Sequence, residues 1–105
     1  MTAAIPRRFR GLPSVYVAGR RVPVATTAAA RLLGLALLRA ERAGEGLLIP
    51  RCRSVHTVGM RFALDLFFLD AARRPIDLRR QVRPGRVARQ RRARAVLELP
   101  ARAGR

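Results

Sequence analysis

RSVHTVGMRFALDLFFLD, from Arg53 to Asp70, decides how the rest of the chain is read. Its second half, Ala63 to Leu69, alternates Leu64, Leu66 and Phe68 on one face with Ala63, Asp65, Phe67 and Leu69 on the other, the two-residue period of a β-strand. Both faces are mostly apolar, so this strand is expected at the centre of a sheet. The first half holds the sole histidine of the chain, His56, with Thr57 and Met60 close behind it.

Upstream, SVYVAGRRVPVA from Ser14 to Ala25 places Val15, Val17, Val22 and Val24 around Gly19-Arg20. Glycine at the first central position of that pair suits a type II′ hairpin turn. Pro23 lacks an N–H donor and puts the second strand at an edge. Thr26-Thr27 then precede AAARLLGLALL, where a threonine hydroxyl can cap the first turn of a short helix. Gly34 either ends that helix, leaving Leu35 to Leu38 extended, or sits within a longer one. With almost no polar face, the segment is expected to be largely buried against a sheet.

Glu41 to Gly46 reads as a loop that delivers the chain into Leu47-Leu48-Ile49, ended by Pro50. Downstream, Asp70 to Arg74 makes a turn, Pro75 opens a strand through about Val82, and Pro84-Gly85 supplies a further turn. Arg86 to Gln90 and Ala93 to Leu99 complete the pattern. In the last segment Ala95, Leu97 and Leu99 point inward, with Val96 and Glu98 on the opposite face. The fold class that follows is mainly β: a small antiparallel barrel or sandwich-like domain with one short α-helix. It spans 14–100, between tails at 1–13 and 101–105.

A chain of 105 residues with half of them hydrophobic can build one core. No stretch approaches the roughly 18–20 apolar residues of a membrane-spanning helix, so no transmembrane segment is expected. MTAAIPRRFRG carries early arginines but leads into no apolar run or export cleavage pattern, and the expected location is the cytoplasm. The single cysteine, Cys52, cannot form an internal disulfide. The formal charge is +17, and all 23 basic residues are arginine. The joint absence of lysine and asparagine matches A-poor coding, but base composition does not explain why only 6 acids balance them. Some of the excess charge therefore asks for a physical reason, and the usual inference is a polyanionic partner such as nucleic acid or an anionic membrane surface.

Cys52 and His56 are the soft metal ligands besides methionine, but on a strand their Cα atoms would stand roughly 13 Å apart. Neither a metal site nor a cofactor is expected. An imidazole both donates and accepts hydrogen bonds, which makes His56 a candidate for a groove, with Thr57 and Met60 as its wall. Asp65 is the sharper anomaly, because a carboxylate amid ALDLFFL loses hydration unless something binds it. Arg61, four residues earlier, could reach it across a bulge; backbone amides of a neighbouring turn are the structural alternative. Arg73 to Arg94 holds ten arginines and one acid, Asp77. It lacks the aromatics on which single-stranded bases stack, whereas arginine forks suit phosphate or carboxylate.

Taken in order, ARLLGLALLR, GEGLLI, SVHTVGMRFALDLFFLD, a Pro-Gly turn and ARAVLELP resemble the domain of unknown function 192 family from about Val15 onward. The features that carry the resemblance are Arg31, Gly34 and Leu35, then Gly46, then His56, Thr57 and Met60, and finally Asp65. The resemblance implies a compact, mainly antiparallel β-structure with one helix, and names no reaction.

These observations lead to a noncatalytic binding or accessory module. Its groove is expected from His56, Thr57, Met60, Arg61 and Asp65, and its anionic rim from Arg53, Arg79, Arg83 and Arg86. The partner would be an anionic small molecule or protein. Two alternatives differ in class: a small hydrolase or transferase using His56 with Cys52 or Asp65, and nonspecific nucleic-acid binding by the arginine-rich segment.

Overall fold

The computed structural model describes residues 6–39 and 43–102. Residues 41 and 42 of the expected Glu41 to Gly46 loop, and the outer parts of both expected tails, lie outside them. Among the described residues the chain forms eight strands and one α-helix: β1 (Ser14–Val17), β2 (Arg20–Pro23), α1 (Ala28–Leu33), β3 (Leu47–Pro50), β4 (Ser54–His56), β5 (Leu64–Leu69), β6 (Pro75–Val82), β7 (Val87–Arg89) and β8 (Ala95–Pro100). They pair antiparallel as a β1–β2 hairpin, a four-stranded sheet ordered β3-β8-β5-β6, and a β4–β7 ribbon. The fold is mainly β and sandwich-like; no barrel closes among the described residues.

β5 lies between β8 and β6, the central place its two apolar faces require. Leu64, Leu66 and Phe68, with Val96 of β8 and Leu47 and Ile49 of β3, belong to one core cluster. Leu69, with Ala95, Leu97 and Leu99 of β8 and Leu48 of β3, belongs to another, and Phe67 packs against it. The strand period thus divides the sheet between two cores. The β1–β2 hairpin covers the second through Val17 and Val22. At the β3 edge Val24 forms a parallel bridge to Leu48, and the Ala25 N–H donates to the Leu48 carbonyl at 2.8 Å.

The described part of the N-terminal segment also packs. One 3-10 turn, Arg7–Phe9, buries Phe9 in the first cluster, and the Arg8 guanidinium donates to the Gly34 and Ala36 carbonyls.

Two local expectations are corrected. The hairpin turns at Ala18-Gly19, not Gly19-Arg20: Val17 pairs with Arg20, and φ is +51° at Ala18 and +77° at Gly19. Two successive positive φ angles are the signature of a type I′ turn, which matches strand twist as II′ does. The helix is not largely buried either. Ala30 is its only buried residue, and Leu32 is 70% exposed. Thr27 caps it by accepting from the Ala30 N–H at 3.1 Å, and Gly34 ends it at φ +52°. Six residues make under two turns, too short to bury a broad face. The burial passes instead to the turn after Gly34, where Leu35, Ala36 and Leu38 enter the core.

Candidate functional site

Two concave regions gather the polar side chains. The first is an open concavity of about 430 Å³ where β6 turns into β7, lined by Arg79, Gln81, Arg83, Arg86, Val87 and Ala88. Its backbone is held from below by two buried polar residues. β6 carries a bulge: Leu64 pairs with Val82 and Leu66 with Arg79, so Arg80 and Gln81 together oppose Asp65. Gln81 sits at φ +52°, and its N–H donates to Asp65 Oδ1 at 2.9 Å. Asp65 is 0% exposed, and this bond offsets part of its lost hydration.

Thr57 performs the same service for the Pro84-Gly85 turn. Its hydroxyl donates to the Arg83 carbonyl at 2.6 Å and accepts from the Arg86 N–H at 2.7 Å. Its backbone N–H donates to the Arg86 carbonyl, and its carbonyl accepts from Gly85 and Met60. Arg83 and Arg86 therefore project from a turn fixed at both ends.

The three guanidinium groups are not equivalent. Arg79 donates to Asp77 Oδ2 at 3.0 Å and to the Arg89 carbonyl at 2.7 Å. The Gln90 amide and Arg79 hold the Asp77 carboxyl below the usual carboxylate range. Arg83 and Arg86 form no ion pair among the described residues, and no carboxylate lines the concavity.

The second region is a cavity of about 220 Å³ between α1, β3 and the segment leading into β4. Arg31, Cys52, Ser54 and His56 line it together with Glu98 of β8, and Leu33, Ile49 and Val55 add apolar wall. Glu98 is 3% exposed. Burial pushes its carboxyl up to about 7, while the Leu35 backbone N–H and the Arg8 guanidinium pull the other way. Its Oε1 is buried with no hydrogen-bond partner among the described residues. Arg31 is anchored on the Pro50 carbonyl at 2.6 Å. The Cys52 thiol donates to the Ser54 carbonyl at 3.3 Å, and burial pushes its pKa up, the reverse of an activated nucleophile.

The five residues expected to line one groove are thus distributed. His56 is exposed and lines the Glu98 cavity. Thr57 and Asp65 are buried and bonded to the backbone of the arginine concavity, Met60 belongs to the core, and Arg61 is exposed ahead of β5. By strand alternation Asp65 shares the sheet face of Phe67 and Leu69, whereas Glu98 shares that of Val96, so His56 and Asp65 do not meet. Of the four rim arginines, Arg79, Arg83 and Arg86 converge on the concavity. Arg53 does not line it; its carbonyl accepts from Gln90 at the start of the β4–β7 ribbon. Among the described residues no three His, Cys, Asp or Glu side chains gather as a metal ion would need. No helix of the described residues is long and apolar enough to cross a membrane.

Glu98 escaped the sequence reading, although it is the same kind of anomaly as Asp65: one acid inside AVLELP. Five of the eight residues that carry the family resemblance, His56 among them, meet around it. Arg31 lines its cavity, Gly34 lies against its carboxylate, Leu35 donates to it, and Gly46 packs on its carbonyl. A sequence model of one family matches residues 15–104, nearly the entire chain. The chain belongs to the DUF192 family. That family is described as an uncharacterized ACR. No curated protein and no solved structure matches the chain significantly.

Proposed function

We propose that this DUF192 protein is a noncatalytic binding or accessory module that takes an anionic ligand, or an anionic patch of a protein partner, against Arg83 and Arg86. The observation that carries the reading is the pair of guanidinium groups without carboxylate partners, set on one concave surface by a turn that Thr57 fixes. Asp65 supports the same surface through the Gln81 bulge, and Arg79, already balanced by Asp77, closes one side. Arginine forks recognise phosphate and carboxylate by paired hydrogen bonds, and a fixed backbone lowers the entropy lost on binding. The committed Cys52 thiol weighs against the hydrolase or transferase alternative.

Titration with pyrophosphate, followed by amide chemical shifts, tests this. The Gln81, Arg83 and Arg86 amides are expected to move, with affinity falling as salt rises. Arg83→Gln and Arg86→Gln are each expected to weaken binding about tenfold, the worth of one charge-assisted hydrogen bond. Undiminished affinity in the double variant would refute the site. Failure to bind pyrophosphate, alongside oligonucleotide binding with a steep salt dependence, would favour the nucleic-acid alternative.

A further inference from the structure

A different observation, independent of the arginine concavity, concerns the cavity over Glu98. We propose that this cavity binds a small neutral molecule that offers an N–H donor, a primary carboxamide being the simplest head group, on a compact apolar body. Glu98 Oε1 is a buried acceptor without a hydrogen-bond partner among the described residues, and Glu98 is one of the residues that line the cavity. Buried polar atoms left in that state are rare, and each calls for an explanation such as a functional role. Space at that oxygen is maintained by Gly34, where a Cβ would stand 2.6 Å from Oε1. The apolar wall of Leu33, Ile49 and Val55 suits a hydrocarbon body. At about 220 Å³ the cavity lies below the roughly 300–1,000 Å³ of drug-sized pockets, so that body has only a few carbons.

Charge selects the head group. The groups facing Glu98 are Arg8 from the N-terminal turn, Arg31 from α1, Cys52 before β4 and His56 on β4. Two guanidinium groups disfavour an ammonium ligand, and the ionised Glu98 disfavours a carboxylate. An amide N–H donating to Oε1 satisfies the acceptor and brings no charge. A carboxylate accepts more strongly than the neutral acid does, so binding strengthens as Glu98 ionises.

Isobutyramide, isobutyrate and isobutylamine are the probes, followed by amide chemical shifts at about pH 5.5 and about pH 8, either side of the Glu98 titration. Isobutyramide is expected to shift the Leu35, Cys52 and His56 amides, about tenfold more tightly at the higher pH, and to bind better than either charged probe. Glu98→Gln should reduce binding at the higher pH to the low-pH level and abolish the pH dependence. His56→Gln should keep it, which assigns the titration to the acid. Ser54→Trp, at an exposed position of the lining, should block binding while the thermal midpoint stays unchanged; it decides the matter should Glu98→Gln fold poorly. Absence of saturable shifts, preference for a charged probe, a pH dependence lost with His56, or binding that survives Ser54→Trp would each overturn the proposal.

Discussion

Thr57 and Asp65 show how buried polar residues can fix the backbone from which exposed arginines project. Thr57→Val keeps the shape but strands the Arg83 carbonyl and the Arg86 N–H, at a cost of about 1–3 kcal/mol per group. Urea unfolding is expected to register that loss, pyrophosphate affinity should fall although both arginines remain, and Thr57→Ser should recover much of both. At this scale the sequence was informative about where something unusual sits, and less so about what it does. An acid within ALDLFFL demands a partner, but only the register of β5 against β6 identifies that partner as the Gln81 amide across a bulge. Glu98 was passed over because alternation alone places it opposite Leu97 and Leu99. That this face is also covered depends on α1 and the turn after it, which are distant in sequence.

Among the elements, the strands were legible because their apolar residues alternate, and β5 and β6 begin and end within a residue of where the pattern puts them. The turn at Ala18-Gly19 and the fate of the Leu32 to Leu38 stretch were not, since both depend on backbone angles. Gly34 links the helix end to the buried acid: it adopts φ +52° and ψ −127°, and a side chain there would meet Glu98. Gly34→Ala is therefore expected to destabilise by roughly 1–3 kcal/mol from strain, with the clash added to it. Gly11→Ala is the control, because Gly11 also has a positive φ, +76°, but has nothing within 4 Å of the added methyl group. Denaturation midpoints should separate the two variants, with the larger loss at Gly34.

For the molecule as a whole, Glu98 sets an unusual pH dependence. Between about pH 4.5 and 7 the folded chain holds a proton that the unfolded chain has released, so stability falls as pH rises through that window and levels off above it. At about 1.4 kcal/mol per pKa unit the change is roughly 3 kcal/mol. Asp70 and Asp77, held below the usual range, act with the opposite sign and at lower pH, near 3.8 and beneath. Urea midpoints across the window are expected to decline for the native chain and to stay flat for Glu98→Gln, which should be the more stable of the two at pH 8. The charge of +17 acts over longer distances, and it combines with the outer strand of the main sheet. A second molecule trying to extend that sheet would meet Pro75, where no amide is offered, then the kinked Arg80-Gln81 step, and throughout the approach a field of its own sign. The bulge at Arg80-Gln81 is thereby also expected to disfavour fibrous growth at high concentration.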